Sequence, residues 1–255
     1  MKKLLKYDLY YMRKTQKFIV FAGIFILFSI ISPLTAKYIQ EILSFLLAGQ
    51  DLGIPLPDPT VFTAYEQYIS DLYETIFFIV LFVSVSIFIR DKTKGLLLLV
   101  FSKPVNRTKY ILSKYLSMLI LLLASILVGY LLFTYYTYFL FDEIFFWKGL
   151  AMMGLYFLYL AFITSVALFF ATLSRSYLIA ILPTFGVYIL FSIFTIAGDA
   201  AFFEHLPGMM INTIVGVLYD VNETSDVIWN IVYTLVLTGL FLGGSIWKIR
   251  EIDVN

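Results

Sequence analysis

Residues 115–141 read YLSMLILLLASILVGYLLFTYYTYFLF and contain no charged side chain. A transmembrane helix needs about 20 consecutive apolar residues, so this run is long enough to cross a bilayer. The strands of an outer-membrane barrel would instead alternate apolar and polar residues over about ten positions, and this run is continuously apolar. The stretch therefore predicts a membrane-spanning α-helix.

Five further runs of the same kind lie along the chain, and together they predict six spans at residues 18–36, 72–90, 115–141, 149–174, 176–198 and 227–247. The second run is free of charge only over 75–89, so we extend it outward and let Arg90 snorkel toward the surface. Composition agrees, because 61% of the residues are hydrophobic and 14% are charged, whereas soluble domains carry about 25% charged residues. The sequence predicts an all-α, polytopic membrane bundle.

Lys and Arg residues are unequally distributed between the segments that separate these spans. If both termini are cytoplasmic, all of the 18 basic residues except Lys37 and Lys148 lie on the cytoplasmic side. Such residues concentrate in cytoplasmic loops. We therefore predict that both ends of the chain and residues 91–114 face the cytoplasm of a cell, with the chain multi-pass in the plasma membrane.

The N-terminal segment, residues 1–16, has an amphipathic pattern. Leu5, Leu9 and Met12 recur at helical spacing, while most of the basic side chains, such as Arg13, lie elsewhere on the helix. This pattern is typical of a helix that lies in the membrane interface. A simple positively charged topology anchor is the alternative.

The cytoplasmic loop reads RDKTKGLLLLVFSKPVNRTKYILSK over residues 90–114 and places an apolar run, 96–101, between two basic clusters. Gly95 provides a flexible point before the run. Pro104 ends the local helix, because it lacks an N–H and restricts Lys103 before it. We predict a short helix, a proline turn and then the next span, which would present side chains to a cytoplasmic partner. An interfacial helix without a partner is the alternative.

This loop resembles the second cytoplasmic segment of the ABC-2 exporter permeases, which carries an acidic residue, a glycine four positions later, leucines, a Ser-x-Pro-x-x-Arg element and a downstream lysine. The matching residues are Asp91, Gly95, Leu96, Leu97, Leu98, Leu99, Ser102, Pro104, Arg107 and Lys114. Asp91 replaces the usual glutamate, and Ser113 replaces a glycine that often precedes the lysine. The six-span plan, the amphipathic N-terminus and the chain length extend the resemblance over nearly the whole chain.

The resemblance implies one permease domain, residues 1–255, that works with a separate ABC ATPase and a second permease copy or homologue. Residues 91–114 would couple to the ATPase, and the 1–16 helix would slide along the membrane beside them. The resemblance also implies that the external segment 199–226 contains short re-entrant helices. An interfacial helix on the outer leaflet is the alternative for that segment.

Several chemical functions are excluded by what the sequence lacks. The chain has no cysteine and no Walker A motif, so it has neither a thiolate metal site nor that route to ATP. Its one histidine, His205, lies in a predicted external loop, which leaves an intramembrane serine protease without a base. We expect no catalytic residue, metal or cofactor on this chain and no nucleic acid partner. ATP and Mg²⁺ would bind the partner ATPase.

The spans contain few charges, which argues against ion conduction. We expect a bacterial exporter of a hydrophobic or amphipathic substrate, with antimicrobial or toxin peptides ahead of lipid-linked compounds and drugs. A non-transporting assembly or immunity protein and a membrane-embedded enzyme are the alternatives. Gly239 and Gly243 form a G-x-x-x-G spacing in the last span, which predicts a close helix contact.

Overall fold

The computed structural model describes residues 1–46, 58–102, 105–196 and 205–251, and within these ranges it contains helices and turns but no strand. The helices are α1 (Lys2–Lys14), α2 (Lys17–Lys37), α3 (Ile39–Leu46), α4 (Val61–Thr93), α5 (Leu96–Phe101), α6 (Arg107–Phe141), α7 (Phe146–Leu173), α8 (Tyr177–Ile196), α9 (Met210–Tyr219) and α10 (Thr224–Glu251). The prediction of an all-helical membrane bundle is confirmed.

Within the described residues, five helices are long and apolar enough to cross a membrane: α2, α4, α6, α7 and α10. The fifth predicted span, 176–198, coincides with α8, whose apolar part in these residues is Tyr177–Ile193 and falls short of that length. The prediction of six spans therefore depends on α8.

The second span belongs to a longer helix than the sequence predicted. We placed the span at 72–90, whereas α4 begins at Val61, because Thr60 and Thr63 cap it reciprocally through their hydroxyls and backbone amides. At 33 residues, α4 is about 50 Å long. The hydrocarbon core of a bilayer is about 30 Å thick, so α4 extends beyond it.

Helix α7 lies at the centre of the bundle, where it packs against α4, α6, α8, α9 and α10. Its most apolar stretch is 72% buried, whereas that of α10 is only 17% buried. Helix α2 packs mainly against α6 and α4 and is also largely exposed. The apolar surfaces of α2 and α10 therefore face lipid or a second protein.

One end of the bundle, here called the α5 end, brings together α1, α5 and the last turn of α10. A separate hydrophobic cluster there joins α4, α5, α6, α7 and α10 through Phe88, Leu97, Tyr110, Ala171 and Ile249. The first and last helices of the described chain therefore reach the same end of the bundle, next to the loop 91–114.

At the opposite end, α9 packs against α7 and α4. Met210, Ile214 and Leu218 are buried and belong to the main core. Gly208, in the 3₁₀ turn before α9, lies so close to α8 that an added Cβ would be 2.6 Å from the Phe191 carbonyl oxygen. Residues 199–204 of the predicted external segment lie outside the described residues.

Candidate functional site

Four charged side chains are buried together at the α5 end. They are Asp8 of α1, Arg90 and Asp91 of α4, and Lys114 of α6, and we call them the charge cluster. Each is less than 9% exposed. Charged side chains are rarely buried unless they are paired, and here two cations face two carboxylates, so the cluster as a whole is neutral.

The ion pairs of the charge cluster run in a chain. The Lys114 Nζ lies 2.5 Å from an oxygen of Asp8 and 2.7 Å from an oxygen of Asp91. Arg90 donates two hydrogen bonds to the other oxygen of Asp91, at 3.0 and 2.7 Å. Because the loss of one partner from a buried pair costs about 3–5 kcal/mol, this chain of pairs fixes α1 against α4 and α6.

Neutral side chains complete the polar contacts of the charge cluster. The Tyr110 hydroxyl donates to Asp91 at 2.7 Å, and the Ser113 hydroxyl donates to Asp8 at 2.7 Å. The Arg90 guanidinium lies 3.4 Å from the centre of the Tyr11 ring. Ser113 stands where the ABC-2 pattern often has glycine, and its hydroxyl is an additional partner for Asp8.

Helix α5 is the short apolar helix within the loop 91–114, and it follows Gly95, whose φ of +65° is the left-handed conformation that glycine adopts most easily. Leu97 is 9% exposed. The Phe101 ring packs edge-on against Tyr110 at 5.5 Å. The apolar run is thus covered, at least in part, by the bundle itself. Pro104 and the side chains of Leu98 and Leu99 lie outside the described part of the structure.

Two basic side chains of this loop bind the ends of other helices. Lys92 donates to the carbonyl oxygens of Ala171, Thr172 and Ser174 at the end of α7. Arg107 donates to the carbonyl oxygens of Ile249 and Arg250 near the end of α10. The last carbonyls of a helix lack intrahelical partners and carry partial negative charge. The loop is therefore bonded to α7 and α10 as well as to its neighbours in sequence.

A cavity of about 300 Å³ opens beside the charge cluster, between α1, α5 and α6. Apolar side chains form its walls and the charge cluster forms part of its floor; the lining residues are Leu4, Tyr7, Asp8, Asp91, Leu96, Val100, Val105, Tyr110 and Lys114. Because each carboxylate already has cationic and hydroxyl partners, the cavity suits an apolar group better than an ion.

The structure brings together only part of the predicted site. Asp91, Leu97 and Lys114 meet at the charge cluster and the adjoining hydrophobic cluster. Ser102 is exposed at the end of α5. The sequence reasoning missed Asp8, although an acidic residue four positions before Met12, on the inner face of a basic helix, was the available signal.

The residues predicted for the interface helix divide between the two faces of α1. Met12 is 1% exposed, Leu5 and Leu9 are half-buried, and Arg13 is exposed. Gly239 and Gly243 have no neighbour within 4 Å of an added Cβ. In the same span, Gly244 faces the Phe169 ring of α7, and the close helix contact at Gly239 and Gly243 stays a prediction.

Comparison with known proteins agrees with the resemblance seen in the loop. The chain is 25% identical over 228 residues to YxlG of Bacillus subtilis (strain 168), described as an uncharacterized transmembrane protein, and the match covers 87% of this chain and 86% of that protein. The model of the ABC-2 family transporter proteins matches residues 3–216. That match includes the charge cluster, α5 and five of the six predicted spans, so this chain belongs to the ABC-2 family of transporter proteins.

Proposed function

We propose that this chain is the membrane-spanning permease of an ATP-driven exporter whose ATPase is a separate polypeptide. The observation that carries the proposal is the way in which the loop 91–114 is bonded to the bundle. Through Lys92, Arg107 and Lys114 the loop contacts α7, α10 and α1, and Lys114 also contacts α4. A force applied to this loop would therefore reach helices that are far apart in sequence.

The partner ATPase would bind the α5 end and supply the ATP and Mg²⁺ chemistry. Ser102, Asn106 and Lys109 are exposed around the end of α5 and the start of α6, so they offer an accessible contact surface to a partner. The cavity beside the charge cluster is of a size to receive an apolar side chain of that partner. A second permease copy would complete the complex.

We propose a hydrophobic or amphipathic cargo, with peptides first. The largest fully buried side chains of the bundle include Tyr65, Tyr68, Tyr130, Tyr156 and Tyr159, which combine an apolar ring with a hydroxyl. Among the described residues, the buried charged side chains all lie at the α5 end. An interior of this kind, if it opens, would favour a molecule with apolar surface and scattered polar groups over an inorganic ion.

The test is co-expression of this chain with the nucleotide-binding ATPase encoded in a neighbouring reading frame, followed by purification in mild detergent. We expect the two proteins to co-purify, and the complex in vesicles to accumulate a fluorescent amphipathic peptide when ATP is added. Co-purification without any ATP-dependent peptide uptake would contradict the cargo class. Failure of the ATPase to co-purify would contradict the proposed partnership itself.

A matched pair of variants tests where the ATPase contacts the permease. Ser102→Trp places a bulky ring on the exposed end of α5, and Ser225→Trp makes the same change at the exposed start of α10, at the opposite end. We expect Ser102→Trp to abolish co-purification of the ATPase while the permease keeps its thermal stability. Ser225→Trp should behave as the unmodified chain. Equal co-purification with both variants would contradict a contact at α5.

A further inference from the structure

Helix α1 presents one strongly basic face to its surroundings. At 3.6 residues per turn, its seven outward residues lie within an arc of about 140°. All seven are exposed and none is acidic: Lys2, Lys3, Lys6, Tyr7, Tyr10, Arg13 and Lys14. The inner side is fixed to α6 through the buried Asp8 and Met12. We call the outward side the basic face of α1.

The cations of the basic face have no counter-charge within the described residues. None of the five forms an ion pair there, although three other cations at the same end, Lys92, Arg107 and Lys114, are bound by internal acceptors. The basic face therefore carries five positive charges on one helix side. A partner with negative charge would have to come from outside the described part of the chain.

The start of α2 fixes the level of the basic face relative to the membrane. Gln16 adopts the left-handed conformation, with φ of 58°, so the chain changes direction between α1 and α2. Phe18, Ile19 and Val20 follow at once and are 40%, 64% and 47% exposed. Exposed apolar residues at the start of a span face hydrocarbon, which places α1, one turn away, at the depth of the lipid headgroups.

We propose that the basic face of α1 binds the headgroups of anionic phospholipids. Phosphodiester groups supply the negative charge that the five cations lack, and a lysine or arginine near an anionic membrane surface strengthens association about five-fold. Tyr7 and Tyr10 are 51% and 63% exposed, and tyrosine is enriched at headgroup depth, where its ring and hydroxyl meet different surroundings. The proposal depends on α2 being a span and not on the identity of the cargo or the ATPase.

Lipid is the occupant that the geometry favours over an acidic protein surface. The basic face is continuous, through the turn at Gln16, with the exposed apolar side chains of α2. A soluble partner on this face would have to reach past the headgroups of the same leaflet. Binding of such a partner to the basic face would contradict the proposal.

The test measures lipid selectivity of the full chain in vesicles of phosphatidylcholine that contain spin-labelled phosphatidylglycerol or spin-labelled phosphatidylcholine. The Lys3→Gln/Lys6→Gln variant removes two charges from the basic face. The matched control, Lys94→Gln/Lys109→Gln, removes two charges from exposed lysines at the same end but outside α1. All four of these substitutions leave the charge cluster intact, since none of the four lysines belongs to it.

We expect the unmodified chain to select phosphatidylglycerol over phosphatidylcholine, and the Lys3→Gln/Lys6→Gln variant to lose at least five-fold of that selectivity. The control variant should lose less than two-fold, and added salt should weaken selectivity in the unmodified chain. Equal selectivity in all three proteins would overturn the proposal. So would a Lys3→Gln/Lys6→Gln variant that keeps its full lipid selectivity but no longer binds the ATPase.

Discussion

Asp8 and Lys114 are separated by 106 positions in the chain, and their carboxylate and ammonium groups meet at 2.5 Å in the buried interior. Lys114 also contacts Asp91 at 2.7 Å, so one side chain of α6 holds both the N-terminal helix and the end of α4. Separation of α1 from the bundle would leave Lys114 with one carboxylate that it already shares with Arg90. The N-terminal helix is therefore an integral part of the α5 end.

Asp8→Asn should lower the free energy of unfolding by about 3–5 kcal/mol, because it leaves two buried cations facing a single carboxylate. Titration of the detergent-solubilised protein with a denaturing detergent, followed by circular dichroism, measures this loss. The Asp8→Asn/Lys114→Gln double variant restores charge balance, so it should be less destabilised than the sum of the two single variants.

Asp220→Asn is the matched control, since Asp220 and Lys148 also form a lysine–aspartate pair at 2.5 Å. The Asp220 side chain is 74% exposed, and exposed ion pairs contribute about 0–1 kcal/mol. Equal losses in Asp8→Asn and Asp220→Asn would mean that burial of the charge cluster has no energetic consequence.

The helices and the short apolar helix in the loop follow from local sequence, because apolar run length, Gly95 and the residues around Pro104 act over a few positions. The charge cluster does not follow in this way. Arg90 was interpreted as a snorkelling residue, and Asp91 and Lys114 entered through the family pattern. Asp8 was not selected, because no local rule pairs it with a lysine at a distance of 106 positions.

The hydropathy pattern also failed to predict where α4 begins. The predicted span begins at residue 72, yet the helix already runs through Glu66 and Asp71 from the cap at Thr60. Asp71 accepts hydrogen bonds from Ser32 of α2 and from Gln67. Tertiary contacts of this kind keep polar residues helical, and a hydropathy window cannot detect them.

Leu97→Ala should destabilise the protein, because the bundle itself covers this side chain of the predicted coupling loop. Leu97 is 9% exposed and packs in the hydrophobic cluster of the α5 end. Truncation of a buried leucine costs about 2–5 kcal/mol. Leu97→Met keeps most of the volume and should cost less than about 1.5 kcal/mol. A thermal melt of each variant decides the matter, and unchanged stability in Leu97→Ala would show that the side chain does not pack there.

Lys92→Met should loosen the end of α7, because three carbonyl oxygens lose their common donor. A cation at a helix C-terminus contributes about 0.3–1 kcal/mol. Amide hydrogen exchange over residues 170–176 should accordingly become about two- to five-fold faster. Lys94→Met removes an exposed lysine nearby and should leave exchange there unchanged. Equal exchange rates in the two variants would contradict the stabilisation of the end of α7 by Lys92.

Gly129→Ala should disturb the contact between α2 and α6. An added Cβ at Gly129 would lie 2.9 Å from the Phe25 Cβ, and the Ser29 hydroxyl donates to the Gly129 carbonyl at 2.6 Å. Overpacking of this kind costs about 1–3 kcal/mol. Gly154→Ala, in α7, meets nothing within 4 Å and should be neutral or stabilising, since alanine is the better helix former. The melting temperature of Gly129→Ala should therefore fall, whereas that of Gly154→Ala should stay the same or rise.

The G-x-x-x-G spacing of α10 is open to a second chain, because no other described residue lies within 4 Å of a Cβ added at Gly239 or Gly243. Leu240 beside them is 65% exposed. Small residues at this spacing allow two helices to approach closely in a membrane.

If the second permease copy packs on this face, Gly239→Leu/Gly243→Leu should reduce the dimer fraction in bilayers, measured by single-molecule photobleaching, without changing the melting temperature. The Gly154→Leu/Gly186→Leu variant fills open positions on α7 and α8 and should leave the dimer fraction unchanged. An undiminished dimer in the α10 variant would place the contact between permease copies on another helix, with the exposed surface of α2 as the next candidate.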